Sequence, residues 1–136
     1  MLGRIRAGPR DLGSAFALAD RLVVTAQHVV RAARAEQLNF VPVDGGPVSV
    51  AAVVADERID IAVLELAEDV GTALAVDDAY AGAAWTVGSR PLGNDPRLSG
   101  TVTDLRRVIV NSRGHEVVVL QLHVQDPLGD YAGYSG

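Results

Sequence analysis

Apolar residues along this chain gather in short runs broken by charged or glycine-bearing turns, a rhythm that predicts strands rather than long helices. Residues 14–19 and 21–26 are two such runs with Asp20 at the bend, which predicts a hairpin. Residues 27–34 have helical composition but span only about two turns, so one short helix is expected there. Further strands are expected at 38–43, closed by the turn Asp44-Gly45-Gly46-Pro47, and at 48–55 and 59–66, joined by Asp56-Glu57-Arg58. Beyond the linker-like stretch Asp77-Asp78-Ala79-Tyr80-Ala81-Gly82 come strands at 84–88, 100–110 and 116–124. The last one alternates: Val118, Leu120, Leu122 and Val124 share one face, and Gln121, His123 and Gln125 share the other. That pattern predicts one buried and one wetter side. Many short strands with Gly and Pro turns point to an all-β barrel or sandwich.

Composition narrows the picture. A chain of 136 residues that is 49% hydrophobic can bury a sizeable core, on the order of two-thirds of its unfolded surface. Aromatics make up only 4%, so Val, Ala, Leu and Ile must fill that core, and branched side chains favour strands. A net charge of -5 argues against nucleic acid as a partner, which would need a basic face to neutralise phosphates. All basic residues are Arg, which fits the coding bias of a GC-rich bacterial genome. The absence of cysteine excludes disulfides, a thiol nucleophile and thiolate metal ligation. His28, His115 and His123 have no metal-ligand spacing, so no metal or other cofactor is expected. The first residues, Met1-Leu2-Gly3-Arg4-Ile5-Arg6, are too short and polar for a secretory leader. No run approaches the roughly 18 apolar residues that span a bilayer. The expectation is a cytoplasmic protein without a membrane partner.

Three positions carry candidate chemistry. His28 follows the apolar run ending Thr25-Ala26-Gln27, where a strand meets a short helix. An imidazole there can take a proton from a hydroxyl and return it to a leaving group. Asp60 interrupts the apolar run of Ile59 and Ile61, and a carboxylate in such surroundings requires a donor, which an imidazole N–H supplies. Ser135 lies in Gly133-Tyr134-Ser135-Gly136, where the glycine lets the backbone turn tightly and aim N–H groups at an incoming oxygen. For each alone the plainer reading is structural: a histidine at a helix start, a solvated strand-opening Asp, a Gly/Ser tail.

Taken together and in the order His, Asp, Ser, the motifs resemble the trypsin/chymotrypsin-like serine peptidases, in particular short disulfide-free bacterial members. In that family Thr-Ala-Ala-His carries the base, Asp-Ile-Ala-Leu-Leu the acid and Gly-Asp-Ser-Gly-Gly the nucleophile. Here the corresponding stretches are Thr25-Ala26-Gln27-His28, Asp60-Ile61-Ala62-Val63-Leu64 and Gly133-Tyr134-Ser135-Gly136. Gly13-Ser14-Ala15-Phe16 resembles the Gly-Ser-Gly-Phe strand that opens many bacterial members. The resemblance implies an all-β, chymotrypsin-like pair of antiparallel Greek-key barrels. The first would span 1–76, with a linker at 77–81 and an incomplete second barrel at 82–136. It implies a serine endopeptidase acting on polypeptides through an acyl-enzyme, with His28 as base, Asp60 orienting it and Ser135 as nucleophile. The N–H groups of Gly133 and Ser135 would form the oxyanion hole.

The departures from the family have consequences of their own. Tyr134 stands where the family usually has Asp, so activation by pairing with a freed N-terminal amine is not expected. Gly129, with Asp130 beside it, stands at the specificity-pocket position, and no Arg/Lys preference is read from it. The family continues past its serine with strands that complete the second barrel. The chain as written is therefore expected to self-associate through an open sheet edge and to turn over little substrate. The alternative reading is an inactive fragment or pseudoprotease acting as a protein-interaction module, and a serine esterase would use the same triad. The Gly-Tyr-Ser-Gly variant also resembles trypsin-like modules of larger actinobacterial signalling or defence proteins, which implies a tethered or associated signalling domain.

Overall fold

The computed structural model describes residues 1–71, 78–87 and 98–125. Among these, nine strands and one α-helix are present: β1 (Leu2–Ala7), β2 (Arg10–Ala19), β3 (Leu22–Ala26), α1 (Gln27–Val30), β4 (Leu38–Pro42), β5 (Val48–Asp56), β6 (Ile61–Leu66), β7 (Ala84–Val87), β8 (Leu98–Val110) and β9 (Glu116–Val124). The first six strands close into an antiparallel barrel in the order β1-β2-β3-β6-β5-β4, and the last three form a sheet in the order β7-β8-β9. The chain divides into two compact units along these lines, and the all-β expectation is met.

Period-two alternation builds the barrel. Ala15 and Ala17 of β2, Val23 and Thr25 of β3, and Ala62, Leu64 and Leu66 of β6 point inward and are buried, as are Ile5, Leu38 and Phe40. Phe40 is the largest of the fully buried side chains. Gly3 makes room for it, since a Cβ at Gly3 would lie 2.5 Å from the Phe40 ring. In β5 the register shifts between Val50 and Ala52. Inward-packing residues therefore change phase from Val48 and Val50 to Val53, which leaves Val54 at 74% exposure.

Two expectations change. Strand β1 was hidden by its charges: Arg4 and Arg6 alternate with Gly3 and Ile5, and outside the barrel they pair with Asp11 of β2, at 3.5 and 3.1 Å. The helix expected over 27–34 ends at Val30. The Ala33 N–H donates to the Val30 carbonyl at 3.1 Å, an i→i+3 closure that tightens and stops the turn. A short 3-10 turn, Ala35–Gln37, follows.

In the three-stranded sheet, β8 and β9 form a long hairpin. Its turn is held by the Asn111 side-chain oxygen, which accepts from the N–H groups of Arg113 and His115, both at 3.0 Å. The alternation read in β9 is present, but over 117–122 the burial is reversed from expectation: Val118, Leu120 and Leu122 are exposed, while Val117, Val119 and Gln121 are half-buried. At the strand's end His123 is exposed and Val124 half-buried, as expected. Alternation says which residues share a face; what covers that face must come from other residues. Gln125 lies just beyond β9, and its N–H returns to the Ser99 carbonyl at 2.9 Å.

The first half of the β5–β6 turn is clamped by its own residues. The Asp56 carboxylate accepts from the Arg58 N–H at 2.8 Å and from the Arg58 guanidinium at 3.2 and 2.8 Å. These bonds, the side-chain ones foremost, hold the Asp56 carboxyl at about 2, against an ordinary 3.8. Because the folded value is the depressed one, the clamp's contribution is complete above the ordinary value and is lost as pH falls through about 2.

Two outcomes are expected. Phe40→Ala should destabilise the barrel by about 3–5 kcal/mol in urea unfolding, against under about 0.5 kcal/mol for the exposed Val54→Ala; equal effects would contradict the assigned core. Carboxyl-carbon NMR should find the Asp56 midpoint near 2, moving toward 3.8 in Arg58→Ala. A parent midpoint already near 3.8 would show that the clamp does not form.

Candidate active site

Helix α1 is too short to persist by its own hydrogen bonding. Tertiary contacts hold it. Val29 and Val30 are buried in the barrel core, and Val29 packs on Gly13, where a Cβ would come within 2.6 Å of its methyl group. The strand feeding it is equally fixed: buried Thr25 donates its hydroxyl to the Ser14 carbonyl at 2.7 Å, tying β3 to β2.

The first N–H groups of a helix need acceptors from outside it. Ala26, at the N-cap position, offers no side-chain acceptor. Asp60 supplies two. Its carbonyl accepts from the Gln27 N–H at 3.0 Å, and its carboxylate Oδ1 accepts from the His28 N–H at 2.9 Å. The barrel register makes this reach short, because β3 and β6 pair Ala26 with Ile61 and Thr25 with Ala62. The end of β3 and the start of β6 thus lie side by side.

Asp60 occupies the last position of the β5–β6 turn rather than the strand 59–66 in which the apolar run placed it. Its φ is +56°, and among the described residues it is the one non-glycine in that left-handed region. Asp tolerates this conformation better than most residues. There its carbonyl and its carboxylate are both directed at α1.

The remaining carboxylate oxygen completes the site. Asp60 Oδ2 lies 2.7 Å from His28 Nδ1. An ionised carboxylate only accepts, so Nδ1 carries the proton and donates. In the neutral ring that leaves Nε2 as an acceptor for a proton from elsewhere. The side chains are 40% and 43% exposed. At that exposure the ion-pair energy is small, and the effect of the contact is orientation: one carboxylate fixes both the backbone and the ring of the same residue.

The structure thus brings together two of the residues singled out in the sequence, His28 and Asp60. Gly133 and Ser135, with Gly129, Asp130 and Tyr134, lie outside the described residues. His115 and His123 are exposed on the β8–β9 hairpin. Sequence reasoning missed Gln27, which is buried at 5% exposure beside His28; its one sequence signal is a polar residue set between Ala26 and the apolar Val29-Val30.

The model of the trypsin-like peptidase domain matches residues 13–136. Among curated proteins, none matches the chain by sequence. Among solved structures, the Rv3671c protease in an inactive form superposes with a TM-score of 0.71 at 21% identity, over 99% of this chain and 68% of that one. Rv3671c from M. tuberculosis H37Rv, as a serine-to-alanine mutant in an inactive form, gives 0.69 at 20% identity, over 99% and 69%. At such identities the likeness is one of fold, and that fold has the closed barrel and second sheet described above. The family match runs from Gly13, in the strand under α1, to the end of the chain, and on it the chain belongs to the trypsin-like peptidase family.

Proposed function

We propose that the chain is a serine endopeptidase domain in which Ser135 is the nucleophile, His28 the general base and Asp60 the residue that orients it. Membership of a peptidase family implies a polypeptide substrate. The observation that carries the reading is the 2.7 Å contact between His28 Nδ1 and Asp60 Oδ2, which leaves Nε2 as the proton acceptor.

In this reading Ser135 Oγ attacks the scissile carbonyl carbon as His28 Nε2 takes the hydroxyl proton. The N–H groups of Gly133 and Ser135 stabilise the oxyanion. Asp60 keeps the ring in the correct tautomer and stabilises the imidazolium. Collapse of the tetrahedral intermediate breaks the C–N bond, and His28 gives its proton to the departing amine. Water then attacks the acyl-enzyme, again losing a proton to His28, and the carboxylic acid leaves as Ser135 recovers its hydrogen. Every step uses the chain's own side chains and backbone N–H groups together with water, so the reading calls for no cofactor.

A fluorophosphonate probe tests the nucleophile, because it reacts with an activated serine. The full chain should label, and Ser135→Ala should abolish labelling. Equal labelling of parent and variant would overturn the assignment of Ser135.

A further inference from the structure

Gln27 is not accounted for by the triad. Among the described residues, the buried polar side chains are Thr25 and Gln27, at 2% and 5% exposure. Thr25 is explained by its bond to the Ser14 carbonyl. A primary amide is costly to bury unless its polar atoms find partners. Gln27 Nε2 donates to Glu57 Oε1 at 3.5 Å, and the Gln27 N–H donates to the Asp60 carbonyl. Glu57 and Asp60 belong to the same β5–β6 turn. Gln27 therefore grips that turn at two points, with its side chain and with its backbone, and it is peptide-bonded to His28.

The turn needs an external hold. Its Asp56–Arg58 clamp closes only the first half, and Asp60 at the other end sits in the left-handed backbone region, which few non-glycine residues adopt. We propose that Gln27 is a positioning residue for the His28–Asp60 pair, with Glu57 as its partner. Their bond fastens the turn to α1 and keeps the Asp60 carboxylate in line with His28 Nδ1. The inference rests on reading His28 as the base and Asp60 as the residue that orients it. Misplacement of a reacting group by about 1 Å can cost on the order of 100-fold in rate, so a hold on the turn matters even where it adds little stability.

The test is proton NMR of the His28 ring in the full chain, read alongside phosphonylation rate and thermal unfolding. Glu57 is exposed, so Glu57→Ala leaves the core untouched and remains informative where Gln27→Ala unfolds. In both variants, exchange of the His28 Nδ1 proton with water should accelerate by about 5-fold or more, and phosphonylation should slow by about 3- to 30-fold. Gln27→Glu sets two carboxylates against each other and should match or exceed these losses. Combining Gln27→Glu with Glu57→Gln reverses the donor and acceptor and should recover the parent values. Unchanged Nδ1 exchange in folded Glu57→Ala, or a swap that fails to rescue, would overturn the inference. If Ser135→Ala still labels while Nδ1 exchange responds as stated, the nucleophile assignment fails and the positioning role of Gln27 stands.

Discussion

The site depends on a single carboxylate that serves one residue twice. Asp60 accepts from the His28 backbone through Oδ1 and from the His28 ring through Oδ2, while its carbonyl takes the N–H of the preceding residue. The same group therefore caps a helix that could not stand alone and fixes the direction of an imidazole. Removing either function would disturb the other. The geometry requires Asp60 in the left-handed backbone region, a turn that stays closed, and a barrel register that sets Ala26 beside Ile61.

The energetics follow the same order. Stability comes from the barrel interior, where Ile5, Val23, Leu38, Phe40, Leu64 and Leu66 are closed off from water, and where Val29 and Val30 add the short helix to the same core. The His28–Asp60 pair, half-exposed, contributes direction more than free energy. The barrel wall thus carries a side chain that stays accessible, which the role proposed for His28 calls for. The β8–β9 hairpin is built differently, with Val118, Leu120 and Leu122 presented outward.

How much could be read beforehand varies with the kind of information. The barrel strands are legible because short Val-rich apolar runs separated by polar turns favour strands, and His28 and Asp60 because imidazole and carboxylate stand out in apolar runs. Strand β1 was obscure because Arg4 and Arg6 occupy its outer face and read as a polar tail until their pairing with Asp11 is seen. The helix was overextended because Arg31-Ala32-Ala33-Arg34 has good helix propensity, a weak prior that the tight closure at Val30 overrides. The left-handed conformation of Asp60 and the burial of Gln27 had no clear signal, since both arise from contacts between segments that are about thirty residues apart.

The most direct test of the account is the rate at which Ser135 is phosphonylated in the parent chain and in Asp60→Asn, with the adduct located by mass spectrometry. Asparagine keeps the size of the side chain but presents an amide where the ring needs an acceptor-only carboxylate. The account predicts an adduct on Ser135 in the parent and a rate slower by on the order of 10⁴-fold in the variant. Equal rates, or an adduct on a different residue, would contradict it.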